Sequence, residues 1–169
     1  MPQVGPLDAI LPELAHRYGR VRSGLDVGFG DPSVGETLRA FRPGVWMTVD
    51  DSLPLPFDDT QFEVVIVAGK AVSREMVREA NRVLRSDGCM FFTVDERRGQ
   101  DEGYSAPEVY RLVREGFDIL SVRRPKWWHF GFRGHTLTVC ARKKAWREHR
   151  GLSHDGVYLF TPFGMRPQR

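Results

Sequence analysis

The stretch "SGLDVGFGDP", Ser23 to Pro32, decides how the rest of the chain is read. Leu25 and Val27 flank Asp26 in a short strand pattern, and Gly28 and Gly30 follow at its end. A glycine there accepts backbone conformations and close approaches that a side chain forbids. The next segment, "SVGETLRAF" (Ser33 to Phe41), has helical spacing, with Ser33 as the expected N-cap and Glu36 as its capping-box partner. A strand, a glycine turn and a helix in that order aim unpaired helix N–H groups at the turn, which favours an anionic group of a ligand. Two residues work against this. Pro32 has no N–H and a fixed φ. Asp31 brings a negative charge to the same place.

The pattern repeats outward from that turn. "LDAILPELAHRY" (Leu7 to Tyr18) is helical by spacing, and "VWMTV" (Val45 to Val49) is a strand. "DDSLPLPFDDTQ" is an acidic, proline-rich loop. "FEVVIVAG" is a continuous apolar strand of the kind covered on both faces in a parallel sheet. "SREMVREANRVLRSDG" predicts a helix capped by Ser73 and ended by Asp87-Gly88, with Met76, Val77, Ala80, Val83 and Leu84 as its stripe. "CMFFTVDE" is a strand, and "SAPEVYRLVREGF" is a helix with Ser105 as cap and Pro107 in its first turn. "FDILSVRRP" and "HTLTVCARK" are closing strands. Strands alternating with helices predict an α/β sheet, mostly parallel, with helices on both faces. Two strands in succession at the end predict one antiparallel strand. Right-handed crossovers then collect the carboxyl ends of the strands on one edge, where ligands bind.

Composition bounds the function. The chain has 169 residues, 41% hydrophobic and 28% charged, which suits one domain with its own core. The division expected is an α/β domain over 1–144 and a basic, aromatic, irregular tail over 145–169. The longest apolar run, Val64 to Ala68, is too short to cross a bilayer. The N-terminus lacks the basic start of a secretory signal. Cys89 and Cys140 read as buried, reduced thiols, and no His/Cys cluster has metal-ligand spacing. These features place the protein in the cytoplasm by default, although a mature organelle protein would share them. The net charge of +3 does not by itself imply nucleic acid. "RRPKWWHFGFRGH" (Arg123 to His135) mixes basic and aromatic residues. A nucleic-acid surface is one reading, but a loop packing its rings on the sheet edge is favoured, because no RNA-binding motif accompanies the patch. His129 and His135 lie in that loop, where a general base is possible and a structural role is commoner.

Taken together, four segments carry a resemblance. "LDVGFG" resembles the first motif of class I S-adenosylmethionine (SAM)-dependent methyltransferases, an acid-x-Gly-x-Gly turn after a strand. "VDDS" (Val49 to Ser52) looks like the end of their second strand. "LPLPFDDTQFEVVIVAG" resembles the segment leading into their fourth strand, and "EANRVLRSDGCMFFTVDE" is similar to their E-x-x-R-V-L helix, turn and fifth strand. The pattern is nearest to the type 11 group. The resemblance implies a Rossmann-like sheet with SAM as cofactor. It implies that Gly28 and Gly30 admit the cofactor, that Asp50 accepts from both ribose hydroxyls, and that Asp26 orients the turn or meets the cofactor's amino group. Asp51 would support the adenine side, and Phe57 would flank the ring.

The chain departs from the family in the turn, at Asp31 and Pro32, and in length. The helix and strand that normally follow the second strand are missing, so this is a reduced form with an altered cofactor pocket. No catalytic signature follows "VVIVAG", and no acceptor can be named. Two functions stay open: methyl transfer from SAM to an unidentified acceptor, and a noncatalytic binding or assembly module. The second would use a protein partner or a second copy, docked through the Val45 to Val49 edge strand and the tail.

Overall fold

The computed structural model describes residues 6–31, 33–97, 103–123 and 136–144, and the backbone of 152–153, 156–161 and 164–167. The Arg123 to His135 loop beyond Arg123, with His129 and His135, lies outside the described residues, as does Pro32.

The elements follow the expected order. They are α1 (Pro6–Arg17), β1 (Ser23–Val27), α2 (Ser33–Phe41), β2 (Val45–Val49) and β3 (Phe62–Val67), then α3 (Arg74–Val83), β4 (Leu84–Asp95), α4 (Ala106–Val113), β5 (Phe117–Arg123) and β6 (Thr136–Lys143). The sheet order is β2-β1-β3-β4-β6-β5. β2, β1, β3 and β4 run parallel, and β6 lies antiparallel between β4 and β5. This is a Rossmann-like α/β sheet, mostly parallel with one reversed strand.

Both faces are covered, as the unbroken apolar run of β3 requires. Val65 and Val67 enter one core, with Met76, Val77 and Ala80 of α3 and Val109 and Val113 of α4. Val64 and Ile66 enter the other, with Ile10 and Leu14 of α1 and Leu38 of α2. Cys89 and Cys140 are buried free thiols of this second core.

Three local expectations need correction. First, α3 stops at Val83, not at Asp87-Gly88. Lys143 Nζ takes the carbonyls of Asn81 and Leu84 at 2.6 and 2.7 Å, which ends the helix from outside. Asp87, at φ +64°, then falls in an irregularity of β4 where the register against β3 shifts. Second, α2 is capped by Asp31 and not by Ser33. The Asp31 carboxylate accepts the Ser33 N–H at 2.9 Å, and Ser33 is the first helical residue. Third, the tail is not irregular: β7 (Leu152–Ser153), β8 (Gly156–Thr161) and β9 (Gly164–Pro167) form a separate antiparallel sheet.

Residues 50–61 connect β2 to β3 without a helix or strand. They run from the carboxyl end of one strand to the amino end of the next, and one side chain holds them. Arg82 of α3 donates from Nε to Glu79 Oε1 at 2.9 Å and from Nη2 to Glu79 Oε2 at 2.7 Å. It also donates to the carbonyls of Phe57 at 2.7 Å and Leu55 at 3.0 Å, and to Asp59 at 3.0 Å. These bonds engage every donor of the guanidinium. Glu79 also accepts the Leu55 N–H at 2.9 Å, and the Thr60 N–H reaches the Arg82 carbonyl at 2.9 Å. The Glu79 and Arg82 of the E-x-x-R pattern are thus a clamp on the connecting loop.

Replacing Arg82 with alanine strands two backbone carbonyls and leaves Glu79 without its cation. We expect a loss of about 2–3 kcal/mol, read as a fall in denaturant midpoint. The hydrogen bonds from Arg82 hold the Glu79 carboxyl below its ordinary range. A depressed carboxylate stabilises the fold above its unfolded pKa and loses that contribution as pH falls through the folded one. The wild-type advantage over Arg82→Ala should therefore narrow in acid titrations.

Candidate functional site

The site lies where β2, β1 and β3 end level. Val27 of β1 is in register with Val49 of β2 and Val67 of β3. The ladder continues one step further, through Gly28 N–H to the Val49 carbonyl and Ala68 N–H to the Val27 carbonyl, both 2.9 Å. The next residues on the three strands are Asp50, Gly28 and Ala68, side by side.

The two glycines have different jobs. Gly28 has φ +77°, and a Cβ there would stand 2.9 Å from the Ala71 Cβ and 3.2 Å from the Asp51 Cβ. Its space is filled by the protein, and the turn could not close with a side chain. Gly30 has φ +68°, and among the described residues a Cβ there would meet only the Lys70 ammonium, 3.8 Å away. The gap beside Gly30 is the open one, and a flexible cation bounds it.

Asp26 lies beneath the turn, fully buried. Its Oδ2 accepts the Thr48 hydroxyl at 2.7 Å, and its buried Oδ1 has no hydrogen-bond partner. Burial pushes this carboxyl above its ordinary range, against the Thr48 hydrogen bond and the Arg39 charge. Its contacts tie β1 to β2 under α2 and do not reach the open edge. Asp50 is exposed, and one of its oxygens accepts the Ser52 N–H at 3.1 Å, which orients the carboxylate. Asp51 is exposed beside it. Hydrogen bonds from the Ser33 hydroxyl and N–H hold the Asp31 carboxyl below its ordinary range.

Phe57 stands apart from this group. Its ring meets Phe62 edge-on at 4.9 Å. Phe62 opens β3, so the ring packs at the amino end, about 17 Å of strand from the turn. The expectation that Phe57 flanks an adenine at the carboxyl edge is not met, because the Arg82 clamp draws this part of the loop down beside α3. Lys70 is the residue that sequence reading missed. A single lysine after an apolar strand carries no periodic signal, and only its position after "VVIVAG" marks the edge.

A groove of about 210 Å³ between α3 and α4 is lined by Val77, Asn81, Leu112 and Phe117, with Arg74 and Arg78 among its walls. None of the glycine-turn residues is among its lining. Among the described residues no three His, Cys, Asp or Glu side chains converge as metal ligands, and no helix is long and apolar enough to cross a membrane.

No family model and no curated protein matches the sequence. Solved structures do match the fold. A SAM-dependent methyltransferase from Aquifex aeolicus superposes with TM-score 0.60 at 14% identity, covering 78% of this chain and 88% of its own. The 1,6-didemethyltoxoflavin-N1-methyltransferase of Burkholderia thailandensis, solved with its substrate and S-adenosylhomocysteine, gives 0.60 at 18%, covering 83% and 79%. A methyltransferase-like chain in complex with the Haloferax volcanii Trm112 methyltransferase activator gives 0.58 at 14%, covering 82% and 89%. The likeness is one of fold: the chain has a class I methyltransferase sheet.

The buried Asp26 yields a pH test. Its raised pKa means that the folded state holds the proton more tightly than the unfolded state does. The cost of ionising it is absent below the unfolded pKa and grows as pH rises toward the folded value. Asp26→Asn should melt higher than wild type at about pH 8 and converge with it at about pH 3. Thermal scans across that range check this.

Proposed function

We propose that this protein is a reduced, type 11-like class I methyltransferase that binds SAM across the Gly28–Gly30 turn and transfers its methyl group to an acceptor still to be identified. The observation that carries the reading is the row at the carboxyl edge: a carboxylate at Asp50, the open turn at Gly30, and a buried acid supporting the turn from below. Asp50 would accept from the ribose hydroxyls, with its carboxylate oriented by the Ser52 N–H. Gly28 and Gly30 would let the ligand approach the backbone. Asp26 would hold the turn to β2 through Thr48. Asp51, at the start of the connection between β2 and β3, would stand on the adenine side. The bound cofactor supplies an electrophilic methyl on a sulfonium, and such transfers need little beyond aligning two reactants.

The charge balance of this edge supports the same ligand. Asp31, Asp50 and Asp51 flank the turn with Asp26 below, and among the described residues Lys70 is the cation beside Gly30. That surplus disfavours a polyanionic nucleotide and suits a ligand whose net charge is positive, as that of SAM is.

A second reading keeps the fold without the chemistry: a noncatalytic binding or assembly module. The exposure of Val45 (65%) and Met47 (45%) on the edge strand β2 favours it. The connection between β2 and β3 provides no helix over that face. Against open strand pairing, Arg39 of α2 donates to the Trp46 carbonyl at 3.0 Å and so blunts the edge.

Calorimetric titration with SAM and S-adenosylhomocysteine separates the two. The methyltransferase reading expects binding that weakens at least about tenfold in Asp50→Ala, with an unchanged melting curve. Absence of binding at millimolar cofactor overturns it in favour of the module.

A further inference from the structure

Lys70 is in a single 3₁₀ turn, Gly69–Ala71, directly after β3. It is exposed, and its Nζ lies 3.8 Å from where a Gly30 Cβ would be. Among the described residues it makes no hydrogen bond or ion pair. Asp31, adjacent to Gly30 in sequence, is the obvious counterion. It is committed to capping α2 instead, through the Ser33 N–H at 2.9 Å. Among the described residues, an ammonium without a partner therefore borders the gap beside Gly30.

The strand order places this cation opposite Asp50. β2, β1 and β3 are neighbours, so the ends that carry Asp50 and Lys70 are separated by two strand spacings, about 10 Å. A ligand lying across the row meets a hydroxyl acceptor at one end, a side-chain-free turn in the middle and a cation at the other. That arrangement calls for a diol at one end and an anionic group at the other.

We infer that Lys70 is the carboxylate anchor of this site: it binds the amino-acid carboxylate of SAM or S-adenosylhomocysteine, in place of N–H contacts that Asp31 and Pro32 deny at the start of α2. This inference rests on the cofactor reading given above. The Asp31 carboxylate occupies the Ser33 N–H, and proline has no N–H to offer. The anion must then be met by a side chain, and Lys70 is the ammonium positioned to do it. A single ammonium matches a monoanionic carboxylate, while the surrounding aspartates suit the adjacent amino group of the same ligand. A nucleotide phosphate would offer a similar anion, so the test includes one.

The experiment is titration of wild type, Lys70→Ala and Lys70→Arg with three probes: S-adenosylhomocysteine, 5′-methylthioadenosine, which lacks the amino-acid end, and adenosine monophosphate. The expected result is that Lys70→Ala weakens S-adenosylhomocysteine about tenfold, leaves 5′-methylthioadenosine unchanged, and is restored by Lys70→Arg. Equal weakening of both probes, or of neither, overturns the anchor while leaving the cofactor reading intact. Tighter wild-type binding of the monophosphate, lost in Lys70→Ala, overturns the carboxylate in favour of phosphate. A wild type that binds none of the three overturns the cofactor reading and the anchor with it.

Discussion

The structure depends on the Arg82 guanidinium. A chain leaving β2 at the carboxyl edge must return to the amino edge before β3 can run parallel to β1. Here it returns through a connection without helix or strand, whose backbone groups have no ladder to join. Buried or half-buried carbonyls without partners are costly. Arg82 meets two of them and the Asp59 carboxylate while paired with Glu79 on its own helix. Because the clamp lies on α3, the loop is fastened to the element that covers the same face of the sheet. The short connection and the E-x-x-R pair are two sides of one arrangement.

Several features were readable because they follow from repeating patterns. The unbroken run at β3 required cover on both faces, and the stripe of α3 provides half of it. Helices α2 and α4 begin where their polar caps are, although Asp31, not Ser33, does the capping at α2. The Asp87-Gly88 stop failed because Lys143, distant in sequence, ends the helix earlier. Arg82 was visible as a letter in a motif, but its partners are mainly carbonyls, which every residue has and no pattern reveals. Phe57 was misplaced for the same reason. Its position depends on where the clamp holds the loop and not on its spacing from Asp50.

The same distinction applies to the site. Gly28 and Gly30 look alike in sequence, yet one is packed against Ala71 and Asp51 and the other borders an opening. Asp26 and Asp50 also look alike, each an acid near a strand end. One is buried with an unpartnered oxygen, and the other stands in solvent with its carboxylate oriented. Alternation along a strand explains this. A residue within β1 must face one core or the other, whereas the residue just past β2 faces neither.

The reversed strand has a consequence for how the chain is made. β4 does not pair with β5, since β6 lies between them. A nascent chain that has emerged through Arg123 has delivered five of the six strands of the larger sheet and α1 to α4, yet the edge of β4 is still open. That edge includes Met90, Phe91 and Phe92, all buried once Thr136–Lys143 arrives. Until Thr136–Lys143 has been made and pairs, a strand with three consecutive large apolar side chains awaits its neighbour, and this interval is when the protein is most exposed to aggregation and most in need of a chaperone.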